Sequence, residues 1–269
     1  MSETTTISYL GPDGSYASVA ARKLCPGAGY LPCASFYSAV QALVKGDSKY
    51  AVLPVENTLQ GAVTQNLDLL YANPDLYAVR ELVLEIDHRL IAAKGTRLED
   101  VRRVYSHQQA ILQCGRFLSE NLPDANLLYT ESTMQSLSMI REPGDAGIVG
   151  SHVTAEGLEF IGENIADEKK NFTHFLLIAK GAENVPAESA RVYFAASCPH
   201  RPGSLMAMLD ILSKHGLNMT KIDSRPIKNM PGEYCFFVEF EGSIGDECVR
   251  DALRCMYAFT DRYKLLGAY

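Results

Sequence analysis

The sequence predicts an α/β protein in two parts, a two-lobed α/β unit followed by a smaller β-α-β-β-α-β unit. Three observations predict it. Up to about residue 180 a short apolar strand, a turn with glycine or a hydroxyl residue, and a helix recur in alternation, the pattern of largely parallel sheets. In DLYAVRELVLEIDHRLIAAKG, residues 75–95, long strand-like segments follow one another with no helix between, which divides the sheet in two. Beyond the polar, proline-containing stretch KGAENVPAESA the order changes to the ferredoxin-like one. The boundaries this predicts are 1–180, a linker at 181–190, and 191–269.

The elements follow in order. TISYL (6–10) is a strand leading through GPDGS into the helix YASVAARKL (16–24). YAVLPVEN (50–57) leads through Thr58 and Gly61 into VTQNLDLLYA (63–72). RVYSH (103–107) leads into QQAILQCGRFLSE (108–120), NLLYTES (126–132) into TMQSLSMIR (133–141), and AGIVGS (146–151) into HVTAEGL (152–158). FLLIAK (175–180) then returns to the first lobe. In the last unit RVYFAAS (191–197), NMTKIDSRP (218–226), EYCFFVEFEG (233–242) and YKLLGAY (263–269) are strands. GSLMAMLDILSKHG (203–216) and GDECVRDALRCMYAF (245–259) are helices, the first with an apolar stripe of Leu205, Met208, Leu209 and Leu212.

Composition narrows the function. With 47% apolar and 21% charged residues among 269, the chain reads as an ordinary soluble globular protein. A net charge of −7 gives no footprint for nucleic acid. No apolar run reaches the roughly 18 residues of a membrane span. MSETTTISYL carries no basic segment followed by an apolar one, so a cytoplasmic location is expected. The seven cysteines are scattered without a C-x-x-C pair and read as reduced. His88, His107, His152, His174, His200 and His215 show no ligand spacing, so no metal is expected. Dinucleotide, P-loop, zinc-protease and nucleophile-elbow motifs are all missing from the sequence.

Ligands of parallel α/β sheets bind outside the carboxyl ends of the strands. Several such ends carry a hydroxyl, Ser15, Thr58, Ser106, Ser132 and Ser151, each placed at or near a helix start where free N–H groups favour an anion. Ordinary helix capping explains any one of them. Together, facing one cleft, they predict a small carboxylate-bearing ligand. KKNFTHFLLIAK (169–180) adds a polar cluster, Asn171, Thr173 and His174, at the mouth of a core strand.

As a set these motifs resemble prephenate dehydratases. YLGPDGSYAS is similar to the family's G-P-x-G-[ST]-[FY]-[ST], LPVENTLQGAV to V-P-x-E-N-S-x-x-G with Thr58 for serine, and SHQQAILQC to S-H-P-Q-A-x-x-Q-C with Gln108 for proline. NFTHF stands where the family has N-x-T-R-F, with His174 for arginine. RPGSL and DSRP in the tail resemble the ligand loops of ACT domains. The resemblance implies a periplasmic-binding-protein-like catalytic unit, a monofunctional enzyme, and decarboxylating dehydration of prephenate to phenylpyruvate without a cofactor. An arogenate dehydratase, or an enzyme of drifted chemistry on the same scaffold, as His174, Gln108 and Thr58 suggest, is the alternative. A non-catalytic sensor of an amino acid or carboxylate is the competing class, which a secretory leader or a helix-turn-helix extension would favour.

The family's catalytic threonine falls on Thr173, with His107 as the implied proton partner. Ser15, Asn57, Thr58, Ser106, Gln109, Ser151, Asn171 and Phe175 are the implied substrate-binding residues; Gln113 lies one helical turn from Gln109. Phenylalanine is the implied effector, bound between two chains at Arg201, Pro202, Gly203, Ser204 and Leu205 of one and Asn218, Asp223, Ser224, Arg225 and Pro226 of the other. The carrier is then a homodimer or homotetramer. Strand alternation sets His174 apart: if Thr173 faces the cleft, His174 points to the opposite face with Leu176, as a support behind the strand.

Overall fold

Two apolar patterns, runs of β-branched residues and helices with one buried stripe, assemble into layers in the computed structural model, which describes residues 5–227, 230 and 232–269. The first half contains β1 (Thr6–Leu10), α1 (Tyr16–Leu24), β2 (Gly29–Cys33), α2 (Phe36–Lys45), β3 (Tyr50–Asn57), the short β4 (Gly61–Ala62), α3 (Thr64–Ala72) and β5 (Leu76–Glu85). The second lobe follows with β6 (Arg89–Ala93), β7 (Arg103–His107), α4 (Gln108–Leu112), α5 (Gly115–Asn121), β8 (Asn126–Thr130), α6 (Ser136–Met139), β9 (Asp145–Val149) and β10 (Leu158–Gly162). The chain returns through β11 (Phe172–Lys180) and ends with β12 (Arg191–Ser197), α7 (Ser204–Lys214), β13 (Met219–Pro226), β14 (Tyr234–Glu241), α8 (Glu247–Phe259) and β15 (Arg262–Ala268).

The sheet divides between β5 and β6, and β11 returns to the first lobe, as the sequence predicts. The second lobe is a five-stranded sheet in the order β10-β6-β9-β7-β8. Neither sheet is largely parallel. β1 runs parallel to β2 and β3, but β11 lies antiparallel between β3 and β5. In the second lobe β7 is parallel to β8 and β9, while β6 and β10 are antiparallel additions.

Other sequence expectations change in detail. β2 and α2 are additions to the expected elements: GYLPC carries a glycine and a proline and shows no alternation, although Ser35 caps α2 in a reciprocal capping box with Ser38. The helix expected over 108–120 breaks between Leu112 and Gly115 into α4 and α5. The segment 133–141 yields only the single turn of α6. HVTAEGL forms no helix. Val153 N donates back to Gly150 O in a turn, and Gly157 takes φ 77° to enter β10. The β-branched pair Val153 and Thr154, followed by a glycine, favours that turn over a helix.

The βαββαβ order of the last unit is present as predicted, with strands ordered β13-β14-β12-β15. β15 meets β5 in parallel register at Gly267 and Ala78, so the two sheets continue as a ten-stranded one. One face of the joint is a shared core: Leu53, Leu67, Ala78 and Leu176 pack with Tyr193, Phe237, Leu266 and Tyr269. The other face of the last unit is covered by α7 and α8 over Phe194, Val238 and Phe240. Polar ties reinforce the joint. Lys221 Nζ lies 2.7 Å from Glu56 Oε2, and Arg225 pairs with Asp68 at 3.2 Å. Lys264 donates to the Leu70 and Asn73 carbonyls at the end of α3, where a cation offsets the helix dipole. Burial pushes its pKa down to about 8.

Gly267 has a φ of 151°, and a β-carbon there would collide with the backbone of Ala78. Gly27 has a φ of 78° with open space around it. Gly267→Ala is therefore expected to lower unfolding free energy by about 2–4 kcal/mol, against about 1 kcal/mol for Gly27→Ala. Urea titrations of both variants measure the difference; equal costs would mean that the joint at Gly267 is not tightly packed.

Candidate active site

Side chains at the ends of β1, β3, β7 and β11 converge on a cleft between the lobes, a cavity of about 760 Å³. Thr173, His107, Ser15, Asn57, Gln109, Asn171 and Phe175 of the expected set line it, and so does Ser132. Apolar walls come from Phe36, Val63 and Ile86. Ser15 is the cap of α1: its hydroxyl accepts from Ser18 N and donates to Leu10 O at 3.0 Å. His107 caps α4, with Nδ1 accepting from Gln109 N at 3.3 Å, so its proton sits on Nε2.

Three expected residues do other work. Thr58 clamps its turn to β11, accepting from Phe172 N at 2.9 Å while its own N–H donates to Phe172 O. Ser106 is buried within β7 and donates to Ile148 O at 2.8 Å, so it ties β7 to β9. Ser151 follows β9 without a helix after it, and its N–H donates to Asp87 Oδ1 at the lobe junction. Tyr16 joins the same junction, its hydroxyl 2.7 Å from Asp87 O and 2.8 Å from Asp87 Oδ1. Burial, with Asp87 beside it, drives the Tyr16 pKa far above the ordinary phenol value.

The polar floor of the cleft has a determined direction. Asn57 Oδ1 accepts from Leu59 N at 3.0 Å and Gln60 N at 3.2 Å, so its other amide atom must be the donor. Asn57 Nδ2 donates to Asn171 Oδ1 at 2.7 Å and to Thr173 Oγ1 at 3.0 Å. Asn171 Nδ2 must then donate to Gln113 Oε1, at 3.3 Å, and His88 Nε2 reaches the same oxygen at 2.7 Å. Thr173 therefore accepts from Asn57 and keeps its own hydrogen to give to a ligand. Gln113 and His88 both line the cleft and were not among the expected site residues. His88 is 4% exposed, and burial pushes its pKa down against the opposing hydrogen bond to Gln113.

Among the described residues no lysine or arginine lines the cleft, and the titratable groups there are Tyr16, Cys33, His88, His107 and Glu131. An anionic group would be met by neutral donors: amide and hydroxyl groups, His107 Nε2–H, and the N-terminus of α1. The described residues also hold no cluster of side chains with metal-ligand geometry.

His174 points away from the cleft, as strand alternation predicts. Its Nε2 lies 2.7 Å from Glu81 Oε2 on β5, and its ring meets Tyr269 edge-on at 6.1 Å. Glu81 also sits 3.4 Å from Arg191, and Tyr269 donates to Glu239 at 2.7 Å. The two segments expected to hold an effector stand on strands two apart. Residues 201–205 follow β12, Asp223 to Pro226 lie on β13, and β14 runs between them. Gly203 opens α7 with φ 83°, Ser204 is buried, and Asn218 donates to Glu241.

Comparison with known proteins bears on this cleft. A family model described as prephenate dehydratase matches residues 7–183. Over 266 residues the chain is 35% identical to the bifunctional chorismate mutase/prephenate dehydratase of Aquifex aeolicus, covering 98% of this chain and 73% of that one. It is 32% identical over 293 residues to a chloroplastic arogenate dehydratase/prephenate dehydratase 2 of Arabidopsis thaliana, covering 98% and 72%. The structure of prephenate dehydratase in complex with L-Phe from Arthrobacter aurescens matches with a TM-score of 0.88 and 29% identity, covering 98% of this chain and 89% of that one.

The His174 contact holds the Glu81 carboxyl below its usual range. A depressed carboxyl pKa stabilises the fold above the unfolded value of about 4.3, and that contribution is lost as pH falls through the folded value. The stability advantage of the native chain over Glu81→Gln is thus expected to be full at about pH 6 and to shrink toward pH 3. Urea unfolding across that range measures it; an advantage that does not change with pH would rule the pairing out.

Proposed function

The chain belongs to the prephenate dehydratase family and is a carbon–oxygen lyase, and from that premise we propose that its cleft converts prephenate to phenylpyruvate. The observation that carries the reading is the direction of the Asn57–Asn171–Gln113 floor, which leaves the Thr173 hydrogen free above it. The reaction expels carbon dioxide from one end of a cyclohexadiene ring and the hydroxyl group from the other. The electron pair of the breaking C–C bond enters the ring, and the C–O pair leaves with oxygen, which takes a proton to become water. Aromatisation drives the step. Thr173 Oγ–H and His107 Nε2–H donate hydrogen bonds to the departing oxygen where charge develops, and the proton that completes the water molecule comes from solvent. Gln109, Gln113 and the α1 start orient the carboxylates, and Phe175 bounds the ring.

Arogenate is a second candidate substrate. Glu131 places one carboxylate in the lining, which suits the ammonium group that arogenate carries in place of the ketone, and the Arabidopsis relative bears both names. Assays with each substrate, following formation of phenylpyruvate or phenylalanine, separate the two. No product from either would overturn the reading.

For regulation we propose an ACT unit at 191–269 that binds phenylalanine between two chains of a homodimer or homotetramer, at 201–205 of one and at Asn218 and Asp223 to Pro226 of the other. The L-Phe complex of the Arthrobacter relative supports it, and so does the placement of β13. Lys221 on that strand pairs with Glu56, the residue before Asn57, and Arg225 pairs with Asp68 on α3.

Two outcomes are expected. Thr173→Ala lowers kcat by about 100- to 1000-fold with KM nearly unchanged, because the lost donor acts chiefly in the transition state; a variant within a few-fold of wild type removes Thr173 from the chemistry. Lys221→Met keeps phenylalanine binding by calorimetry but loses much of an inhibition expected to span about 5- to 150-fold. Undiminished inhibition in that variant would place the coupling elsewhere.

A further inference from the structure

We propose that His88 is a positioning residue, a neutral imidazole whose Nε2–H fixes the Gln113 amide so that its NH2 faces the cleft as a donor to the ligand. The proposal rests on the reading of the cleft as the dehydratase site.

Gln113 stands at the break between α4 and α5, where its backbone N–H still bonds to Gln109 O and its carbonyl accepts from Asp167 N at 2.8 Å. A glutamine amide can present either end, and the two ends act oppositely on an anion: NH2 attracts a carboxylate and the carbonyl oxygen repels it. Asn171 alone holds Gln113 Oε1 at a long 3.3 Å. The 2.7 Å contact from His88 is the closer of the two, and only a protonated Nε2 can make it to an oxygen. With two donors on Oε1, the amide stays oriented and its NH2 is left for the cleft.

The surroundings keep the imidazole neutral. Nδ1 is buried with no hydrogen-bond partner, so a second proton there would bury a charge on an N–H with nothing to receive it. From its own segment the charged neighbour is Asp87, whose carboxylate is already engaged by Tyr16, Ser151 N and, at 3.4 Å, Arg89. From α4 and from the segment before β11 come the neutral amides of Gln113 and Asn171, while the Asp167 carboxylate accepts from Arg116 N. Cys33, His107 and Glu131 are the other titratable groups that line the cleft. Burial accordingly outweighs the pull of Asp87 on the His88 proton.

Two measurements test the proposal. In protein labelled with 15N in its histidine rings, with the His88 signals assigned by their absence from His88→Gln, His88 is expected to stay the neutral Nε2–H tautomer from about pH 5 to 8. Titration near about 6.5, or an Nδ1–H tautomer, would overturn it. In kinetics His88→Leu is expected to raise KM about 10- to 100-fold with kcat much less affected, Gln113→Leu to do the same, and the double variant to lose little more. His88→Gln, which restores an N–H donor, should recover KM to within about fivefold of wild type. Multiplying losses in the double variant, or a Gln variant as poor as the Leu one, would overturn it. The tautomer measurement on the native chain decides the matter even where His88→Leu fails to fold. A native chain inactive on both substrates would instead overturn the function reading and leave the tautomer result standing.

Discussion

Much of this molecule depends on two backbone N–H groups, those of Leu59 and Gln60, which close the turn after β3 onto Asn57 Oδ1. They settle which end of the Asn57 amide is the acceptor, and every later polarity follows. Asn57 must donate toward β11, Asn171 must donate toward Gln113, and Thr173 must accept from Asn57 and keep its proton for the cleft. A hydroxyl at a strand mouth could otherwise turn either way. Here a buried network, satisfied from the backbone outward, leaves it one role.

The same strand serves the opposite face. Alternation sends Asn57 into the cleft and Glu56 toward the last unit, where it meets Lys221 of β13. β11 repeats the division, with Thr173 and Phe175 on the cleft side and His174 and Leu176 on the side of Tyr269. The two central strands thus carry chemistry on one face and the contact with the β12–β15 sheet on the other. A small shift at the joint needs no long path to reach Asn57, because neighbouring residues of one strand report on both surfaces.

The sequence made legible what depends on local order: the strand at 50–57, the apolar part of β11 at 175–180, the division after β5, the βαββαβ tail and the placement of seven of the expected residues at the cleft. It was least informative where short and long range compete. HVTAEGL holds apolar residues at workable helical spacing, yet a turn and a glycine carry it into β10. Ser106 and Ser151 sit at strand ends as expected, but cross-strand and inter-lobe partners, Ile148 and Asp87, occupy them. His88 and Gln113 lie 25 residues apart and meet only because β6 and α4 belong to one lobe. No spacing rule connects them. The signal available was indirect, a histidine between two strand-like apolar segments that must find a buried partner.

The lack of a lysine or arginine in the described lining gains a physical sense under the proposed reaction. One carboxylate of prephenate is to leave as neutral carbon dioxide, so its charge moves into the ring and out with the hydroxyl oxygen during the step. A guanidinium paired to that carboxylate would be most favourable in the ground state and would be lost as the transition state forms, which raises the barrier. Neutral donors bind the same group more weakly and give up less. What must strengthen is the contact at the other end of the ring, where negative charge arrives on oxygen. The oriented Thr173 hydroxyl and the His107 Nε2–H are the donors available there, and neither needs to reorganise when the charge appears. Keeping His88 neutral follows the same logic, since a buried cation beside the floor would favour the bound dianion over the state in which its charge has moved.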